Sequence, residues 1–243
     1  TNLRRSGSSV ISDASDSPAL WTAVICRFRC TSRFWMRFKM WKINHENAAE
    51  PVDNPLDAIV YGDRSAPVAL IEYGSFTCPH CAEFHEDMLP QLKSRFLDKG
   101  TVKLVFRPFF RNAFDIDAGL FVACLPPERR GAWVSLLYHQ QDKWVPFGEN
   151  DQLKARQKVR DSLQSFGAQA GFSPAQFDQC LANEANKSWL QAEHDQALKD
   201  GLEATPTFMI GGKKYVTGPG WDGSIGAFAR GLDPLIAKAQ GRD

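Results

Sequence analysis

The chain has 243 residues, 43% of them hydrophobic, and is long enough to bury a full core without the support of disulfides or metals. Its formal net charge is +1, with 29 Lys and Arg against 28 Asp and Glu. Because proteins that bind nucleic acid present a basic footprint to the phosphates, this balance argues against nucleic acid and favours proteins or small molecules as partners. No run of about 18 apolar residues occurs, so the sequence predicts no membrane-spanning helix.

Residues 1–56 are predicted to be a leader and linker, disordered or a non-native start, outside the folded domain. The first 50 residues hold eight Lys and Arg against four Asp and Glu, and their apolar residues follow neither the strand nor the helix period. A secretory signal is not clearly present, because the apolar run 19–26 is short and arginines follow it. Pro51 and Pro55 interrupt regular structure, so order is expected to begin near residue 57.

The first part of the predicted domain has the pattern of strands around one helix. Short apolar runs over 58–61 and 68–73 predict two strands joined by a turn. After Cys78 apolar side chains recur at a spacing of four, which predicts an amphipathic helix with a kink at Pro90. The alternating run 102–106 predicts the next strand. The second run, the helix and this strand therefore form a predicted βαβ unit.

Strand patterns disappear over residues 111–201, where apolar periodicity predicts a block of helices. These helices are predicted over 115–125, 129–143 and 152–170, with one more that opens at Ser173 and has a capping box to Gln176. Strand patterns return at 207–210 and 213–216 around a Gly211-Gly212 turn, and a final helix is predicted over 224–239. The sequence thus predicts an α/β protein that contains a helical block.

The chemistry of this sequence is concentrated in Cys78-Pro79-His80-Cys81. The motif follows a predicted strand and opens a predicted helix, so the Cys78 sulfur faces unpaired N–H groups and the positive end of the helix dipole, which favour the thiolate. Cys81 lies one turn further on, where it resolves a mixed disulfide. Pro79 suits the first helical turn, and His80 supplies a donor or a positive charge. We therefore predict a nucleophile at Cys78 and a resolving thiol at Cys81.

A C-x-x-C pair is also half of many zinc sites, and zinc binding is the competing interpretation of the motif. His80 and His85 lie close to the motif, but a structural zinc site usually takes a second Cys or His pair from elsewhere in the chain, and no second C-x-x-C occurs, so no bound metal is expected. His85 and Glu86 are interpreted as solvated helix residues. No cofactor is expected beyond a redox-active disulfide between Cys78 and Cys81.

Three features together resemble the DsbA family of bacterial periplasmic thiol:disulfide oxidoreductases. They are Glu72 six residues before the first cysteine, the CPHC motif itself, and Ala204-Thr205-Pro206-Thr207-Phe208 after the helical block. The resemblance covers about residues 55–240 and implies a thioredoxin-like fold with an inserted all-helical domain. It assigns residues 57–110 and 202–243 to the thioredoxin-like domain and residues 111–201 to the insertion.

The resemblance also implies roles for residues outside the motif. Thr205-Pro206 is expected to carry a cis-proline loop that faces the active-site disulfide and pairs with substrate backbone, with an ordinary trans proline as the alternative. Glu72 is expected to be a buried acid beneath the cysteines that handles protons, with a surface carboxylate as the alternative. Cys124 and Cys180 are expected to form a second, structural disulfide, with two separate thiols as the alternative.

The function implied by the resemblance is that of a periplasmic dithiol oxidase, which introduces disulfides into reduced or misoxidised exported proteins and is reoxidised by a DsbB-like membrane quinone reductase. Thr205 stands where the best-known members carry valine, and threonine there is common in related isomerases and reductases. A disulfide reductase or isomerase is therefore the nearest alternative. A peptide-binding chaperone without redox chemistry is a third interpretation, against which the intact cysteine pair argues.

Overall fold

The computed structural model describes residues 59–217 and 222–242, so the predicted leader and linker over residues 1–56 lie outside the described residues. Within this part of the chain, five strands form one mixed sheet. The strands are β1 (Ile59–Tyr61), β2 (Val68–Gly74), β3 (Val102–Pro108), β4 (Thr207–Ile210) and β5 (Lys213–Val216).

The sheet has the order β1-β3-β2-β4-β5, which makes β2 the central strand. β2 and β3 run parallel, as the predicted βαβ unit requires, whereas β1 is antiparallel to β3 and β4 is antiparallel to both β2 and β5. β1 and β2 are neighbours in sequence, but β3 lies between them. The two-residue turn predicted at Gly211-Gly212 joins β4 and β5, and both glycines have the positive φ that this turn needs.

The helical segment after β2 is less regular than the predicted single helix with a kink. It consists of α1 (Pro79–Glu83), a π-helical turn (Phe84–Met88), α2 (Leu89–Leu92) and a second π-helical turn (Lys93–Leu97). Pro90 lacks the N–H that would bond to the preceding turn, and it lies in the first turn of α2, directly after the first π-helical turn.

Six helices follow between β3 and β4, and one follows β5. They are α3 (Ala113–Ala123), α4 (Pro127–His139), α5 (Gln141–Trp144), α6 (Gln152–Ala170), α7 (Pro174–Leu181), α8 (Glu184–Lys199) and α9 (Ile225–Ala239). The helix predicted over 129–143 is divided in two at Gln140, whose backbone leaves the helical conformation. The predicted capping box at the start of α7 is confirmed, with the Ser173 hydroxyl bonded to the Gln176 N–H and the Gln176 side chain bonded back to Ser173.

The sheet is covered on both faces. On one face Leu70 and Leu104 of the sheet pack in a cluster with Leu92 of α2 and Phe228 of α9. On the other face Ile71, Tyr73 and Val105 pack with Ala197 of α8.

The helical block shares a core with the sheet. One continuous apolar cluster contains Phe76 and Phe106 from the sheet region together with Phe121, Trp133 and Phe177 from α3, α4 and α7. The boundaries proposed for an inserted domain at residues 111 and 201 therefore remain a prediction. Among the helices of residues 59–217 and 222–242, none is long and apolar enough to cross a membrane.

Candidate active site

The turn between β2 and α1 places Cys78 at the start of a helix. Cys78 is the N-cap residue, with extended backbone angles of φ −84° and ψ 119°, and Pro79 is the first helical residue. The carbonyl oxygen of Cys78 accepts the first helical hydrogen bond, from the Ala82 N–H at 3.2 Å. The Cys78 sulfur therefore lies at the end of α1 where N–H groups have no partner within the helix.

The two cysteines of the motif have opposite electrostatic environments. The pKa of Cys78 is lowered to about 5, chiefly by the hydrogen bond with Cys81. Thr205 and the backbone N–H groups of Cys81 and His80 lower it further by smaller amounts, whereas burial acts in the opposite direction. Burial, followed by the hydrogen bond and the charge of Cys78, raises the pKa of Cys81 well above its usual range. At neutral pH the reduced pair thus holds a thiolate at Cys78 and a thiol at Cys81.

The loop before β4 lies against the Cys78 sulfur. The Thr205–Pro206 peptide bond is cis, and the Thr205 carbonyl oxygen is 3.3 Å from the Cys78 sulfur. Cys78 keeps 2% of its surface exposed and Cys81 none, so a molecule that approaches from solvent meets Cys78 first. The structure brings together the motif and the Thr205-Pro206 loop, which 123 intervening residues separate in the sequence.

His80 is exposed, as is its neighbour Pro79. Its Nδ1 lies 3.0 Å from the Glu83 carboxylate, and this ion pair raises the pKa of His80. The imidazole is therefore engaged by Glu83 on the helix surface. The role predicted for it as a donor beside the Cys78 sulfur stays a prediction.

Beneath the motif lies a buried pair of titratable residues, Glu72 and His85. Both side chains have no exposed surface, and the His85 Nε2 lies 3.2 Å and 3.1 Å from the two carboxylate oxygens of Glu72. The prediction that His85 is solvated is wrong, because His85 lies four residues after the buried Cys81 and so shares the buried face of the helix. Glu72 lies on the central strand, and its charge contributes to the raised pKa of Cys81.

Three polar residues of the helical block hold the backbone just before Cys78, and no sequence motif marks them. Buried Asp115 accepts hydrogen bonds from the Thr77 N–H at 2.9 Å and from the Ser75 hydroxyl at 3.0 Å. Gln141 donates its side-chain N–H groups to the carbonyls of Phe76 and Cys78, and Tyr138 donates its hydroxyl to Ser75. The only sequence signal was a polar residue within an otherwise buried helical pattern.

The other cysteines of the described chain do not take part in this site. Cys124 and Cys180 are joined in a disulfide, which links the end of α3 to α7. Cys78 and Cys81 are free thiols. In the part of the chain that the structure covers, no cluster of three or more His, Cys, Asp or Glu side chains could hold a metal ion.

The mixed sheet, with a C-x-x-C pair at the head of the helix that follows its central strand, defines the thioredoxin fold as the class of this protein. The chain belongs to the thioredoxin family whose profile, Thioredoxin_4, matches residues 55–225.

Relatives and solved structures agree with this class. A Rickettsia conorii protein named as a protein-disulfide oxidoreductase is 30% identical over 156 residues, which cover 63% of this chain and 53% of the relative. Disulfide bond formation protein D of Bacillus subtilis is 26% identical over 167 residues, which cover 63% of this chain and 68% of that protein. The chain thus spans about half the length of the rickettsial relatives it matches.

The DsbA-like fold predicted from the sequence is confirmed by solved structures. The α-DsbA1 protein of Wolbachia pipientis superposes with a TM-score of 0.63 at 24% identity, over 76% of this chain and 94% of that one. A protein-disulfide isomerase of Novosphingobium aromaticivorans superposes with a TM-score of 0.61 at 26% identity, over 75% of this chain and 97% of the other.

Proposed function

We propose that this protein is a dithiol oxidase that introduces disulfides into exported proteins through Cys78 and Cys81. The observation that carries the proposal is the low pKa of Cys78, about 5, at the head of α1 and beside the Thr205 carbonyl. A thiolate of low pKa is a good leaving group, so a mixed disulfide between Cys78 and a substrate is readily opened by a second substrate thiolate, which releases Cys78.

In the oxidising direction a substrate thiolate attacks the Cys78 sulfur of the Cys78–Cys81 disulfide. A bond forms between the substrate sulfur and Cys78, and Cys81 leaves with the electron pair. A second substrate thiolate then attacks the first substrate sulfur, which forms the substrate disulfide and releases Cys78 as a thiolate. The substrate loses two electrons and two protons; one proton goes to Cys81, whose pKa is raised, and the other goes to solvent.

Glu72 is proposed to relay to Cys81 the proton that Cys81 takes up. The carboxyl group is fully buried, its charge acts on Cys81, and buried His85 holds it from the other side. The cis-proline loop is proposed to align the substrate by backbone hydrogen bonds, a role favoured by the position of the Thr205 carbonyl beside the Cys78 sulfur.

The proposed partners follow from the same chemistry. After one turnover the reduced Cys78 and Cys81 must pass two electrons to an oxidant. A DsbB-like membrane quinone reductase is proposed as that oxidant. No cofactor is proposed beyond the cysteine pair. Because such exchange requires an oxidising compartment, the proposed location is the bacterial periplasm.

A disulfide isomerase or reductase is the second candidate. It is favoured by Thr205, the residue before the cis proline, and by the name of the Novosphingobium relative. The two candidates share every residue of the site and differ in the reduction potential of the cysteine pair.

A redox titration combined with an oxidation assay tests the proposal. The oxidised protein is mixed with reduced, unfolded ribonuclease, and the pair is equilibrated against glutathione to obtain its reduction potential. We expect net oxidation of ribonuclease and a potential nearer to about −120 mV than to the thioredoxin value of about −270 mV. Cys78→Ala should abolish turnover. A potential near the thioredoxin value without net oxidation would exclude the oxidase.

A further inference from the structure

A groove of about 440 Å³ opens beside the active-site cysteines, between α1 with its π-helical turn, the cis-proline loop and the start of α9. Thr205, whose carbonyl touches the Cys78 sulfur, lines the groove near His80. A polypeptide bound to Cys78 therefore has this concave surface next to its reactive cysteine.

The floor of the groove is apolar and rigid. Phe84, Phe208 and Phe228 meet with ring centroids 4.7 Å, 5.0 Å and 6.0 Å apart, so each ring is fixed by the other two. Met88 and Val216 extend this apolar lining, and 41% of Val216 is exposed. A floor of this kind takes up one large aliphatic or aromatic side chain.

The rim of the groove is acidic. Glu83, Asp87 and Asp222 line it with exposed side chains, and no Lys or Arg occurs among the lining residues that the structure describes. Glu83 is partly neutralised by His80, and Arg230 lies close enough to attract Asp222 from outside the lining. Asp87 forms no ion pair with any residue of 59–217 or 222–242, so its charge is available to a ligand.

The spacing along the helix sets how far the Asp87 carboxylate lies from the active-site motif. Asp87 lies seven positions after His80, which is about 10 Å at the helical rise of about 1.5 Å per residue. An extended peptide advances about 3.3 Å per residue. A basic side chain about three residues from the reactive cysteine of a bound peptide thus reaches Asp87.

We propose that the groove selects substrate segments in which the reactive cysteine is followed within about three residues by a large apolar side chain and a Lys or Arg. This selectivity rests on the proposed function and extends it, because it names the class of polypeptide that the oxidase prefers. The apolar side chain fills the aromatic floor, and the basic side chain meets Asp87 and Asp222 at the rim.

Paired peptides test the selectivity. Two reduced dithiol peptides carry the same Leu near the cysteine and differ only in having Lys or Glu three positions from it, and kcat/KM for their oxidation is measured. We expect the Lys peptide to be favoured about fivefold or more, and the ratio to fall toward one as NaCl rises from about 10 mM to about 500 mM.

Matched variants locate the effect. Asp87→Asn combined with Asp222→Asn should bring the Lys-to-Glu ratio close to one. Glu86→Gln, which removes an exposed carboxylate next to Asp87 but outside the groove lining, should leave the ratio unchanged. Equal kcat/KM for the two peptides at low salt, or a ratio that survives the double substitution, would overturn the proposal.

A binding measurement separates the groove from the redox chemistry. The same peptides with serine in place of cysteine cannot react, so their affinity, measured by calorimetry, reports the groove alone. We expect the Lys peptide to bind about fivefold more tightly. If it does so while neither cysteine peptide is oxidised, the proposed function fails and the selectivity stands. Equal affinities would overturn the selectivity whatever the redox activity.

Discussion

Cys78 and Cys81 lie one helical turn apart, yet their pKa values move in opposite directions. Cys78 sits at the open end of α1, where backbone N–H groups and the Cys81 thiol donate toward its sulfur. Cys81 lies inside the helix, fully buried, and faces the negative charge that Cys78 carries. Cys78 therefore serves as nucleophile and leaving group, while Cys81 remains protonated.

The pH dependence of Cys78 alkylation follows from this asymmetry. Because the thiolate is the reactive form and the pKa of Cys78 is about 5, the rate with iodoacetamide should stay nearly constant from pH 8 down to pH 6 and fall as the pH drops through about 5. The measurement is the pseudo-first-order rate in the reduced protein, followed by mass spectrometry. A midpoint near pH 8.5, as in an unperturbed cysteine, would contradict the thiolate and with it the proposed mechanism.

Removal of the Cys81 thiol should raise the pKa of Cys78, because the hydrogen bond from Cys81 is the largest contribution that lowers it. We expect the alkylation midpoint of Cys81→Ala to move from about 5 toward the ordinary value of about 8.5. Cys81→Ser keeps a donor at this position and serves as the control, with a smaller shift. Midpoints that stay near pH 5 in both the alanine and the serine variants would show that the hydrogen bond from Cys81 does not set the pKa.

The sequence predicted the position of Cys78 but not the pairing of Glu72 with His85, and the reason is the range of the interactions. The strand, the helix and Pro79 are local signals within a few residues of Cys78. The pairing of Glu72 with His85 depends instead on how the helix packs over the central strand, and a histidine between Phe84 and Glu86 gives no local sign of burial.

At the scale of elements, the active-site turn is held by helices that follow it in the chain. Asp115 of α3, Tyr138 of α4 and Gln141 of α5 bond to the backbone or hydroxyl groups of Ser75, Phe76, Thr77 and Cys78. The turn has few regular backbone partners of its own, since it connects a strand to a helix. The helical block thus fixes the path of the chain into the N-terminus of α1.

Gln141→Ala should destabilise the protein by about 1–3 kcal/mol, because the buried Phe76 carbonyl loses its donor and the Cys78 carbonyl loses one of its donors. The free energy of unfolding in urea measures this loss. Gln152→Ala, at an exposed position in the first turn of α6, is the matched control and should change stability by less than about 0.5 kcal/mol. Equal effects of the two substitutions would show that the Gln141 hydrogen bonds carry no net stability.

Elements were predicted well where both ends carry local signals. The helix predicted over 152–170 coincides with α6, because Asp151 caps its start and Gly171, with φ of 99°, ends it. The division between α4 and α5 at Gln140 has no such signal. The position of β1 at the sheet edge beside β3 could not be predicted from the sequence either, because strand order is decided by contacts between residues far apart in the sequence.

At the scale of the whole molecule, the sheet and the helical block act as one packed body around the active site. They share the apolar cluster that contains Phe76, two residues before the nucleophile, and Phe121 of α3. The Cys124–Cys180 disulfide lies on the far part of this block, where it ties α3 to α7. The stability of the helical block and the geometry of the active-site turn are therefore coupled through this shared packing.

Loss of this disulfide should lower stability without altering the nucleophile. The bond closes a loop between residues 56 apart, for which the chain-entropy model gives about 4 kcal/mol. We expect the double variant Cys124→Ala, Cys180→Ala to lose up to this amount in urea unfolding, compared with wild type when Cys78 and Cys81 are oxidised in both proteins. Cys124→Ala alone breaks the same link and should be destabilised to a similar extent.

The alkylation midpoint of Cys78 should remain near pH 5 in the reduced double variant, because none of the groups that lower its pKa belongs to the disulfide. An alkylation midpoint shifted upward by a full pH unit would mean that the disulfide positions the active-site turn. A loss of less than about 1 kcal/mol in the free energy of unfolding would mean that the unfolded chain is already constrained by residual structure.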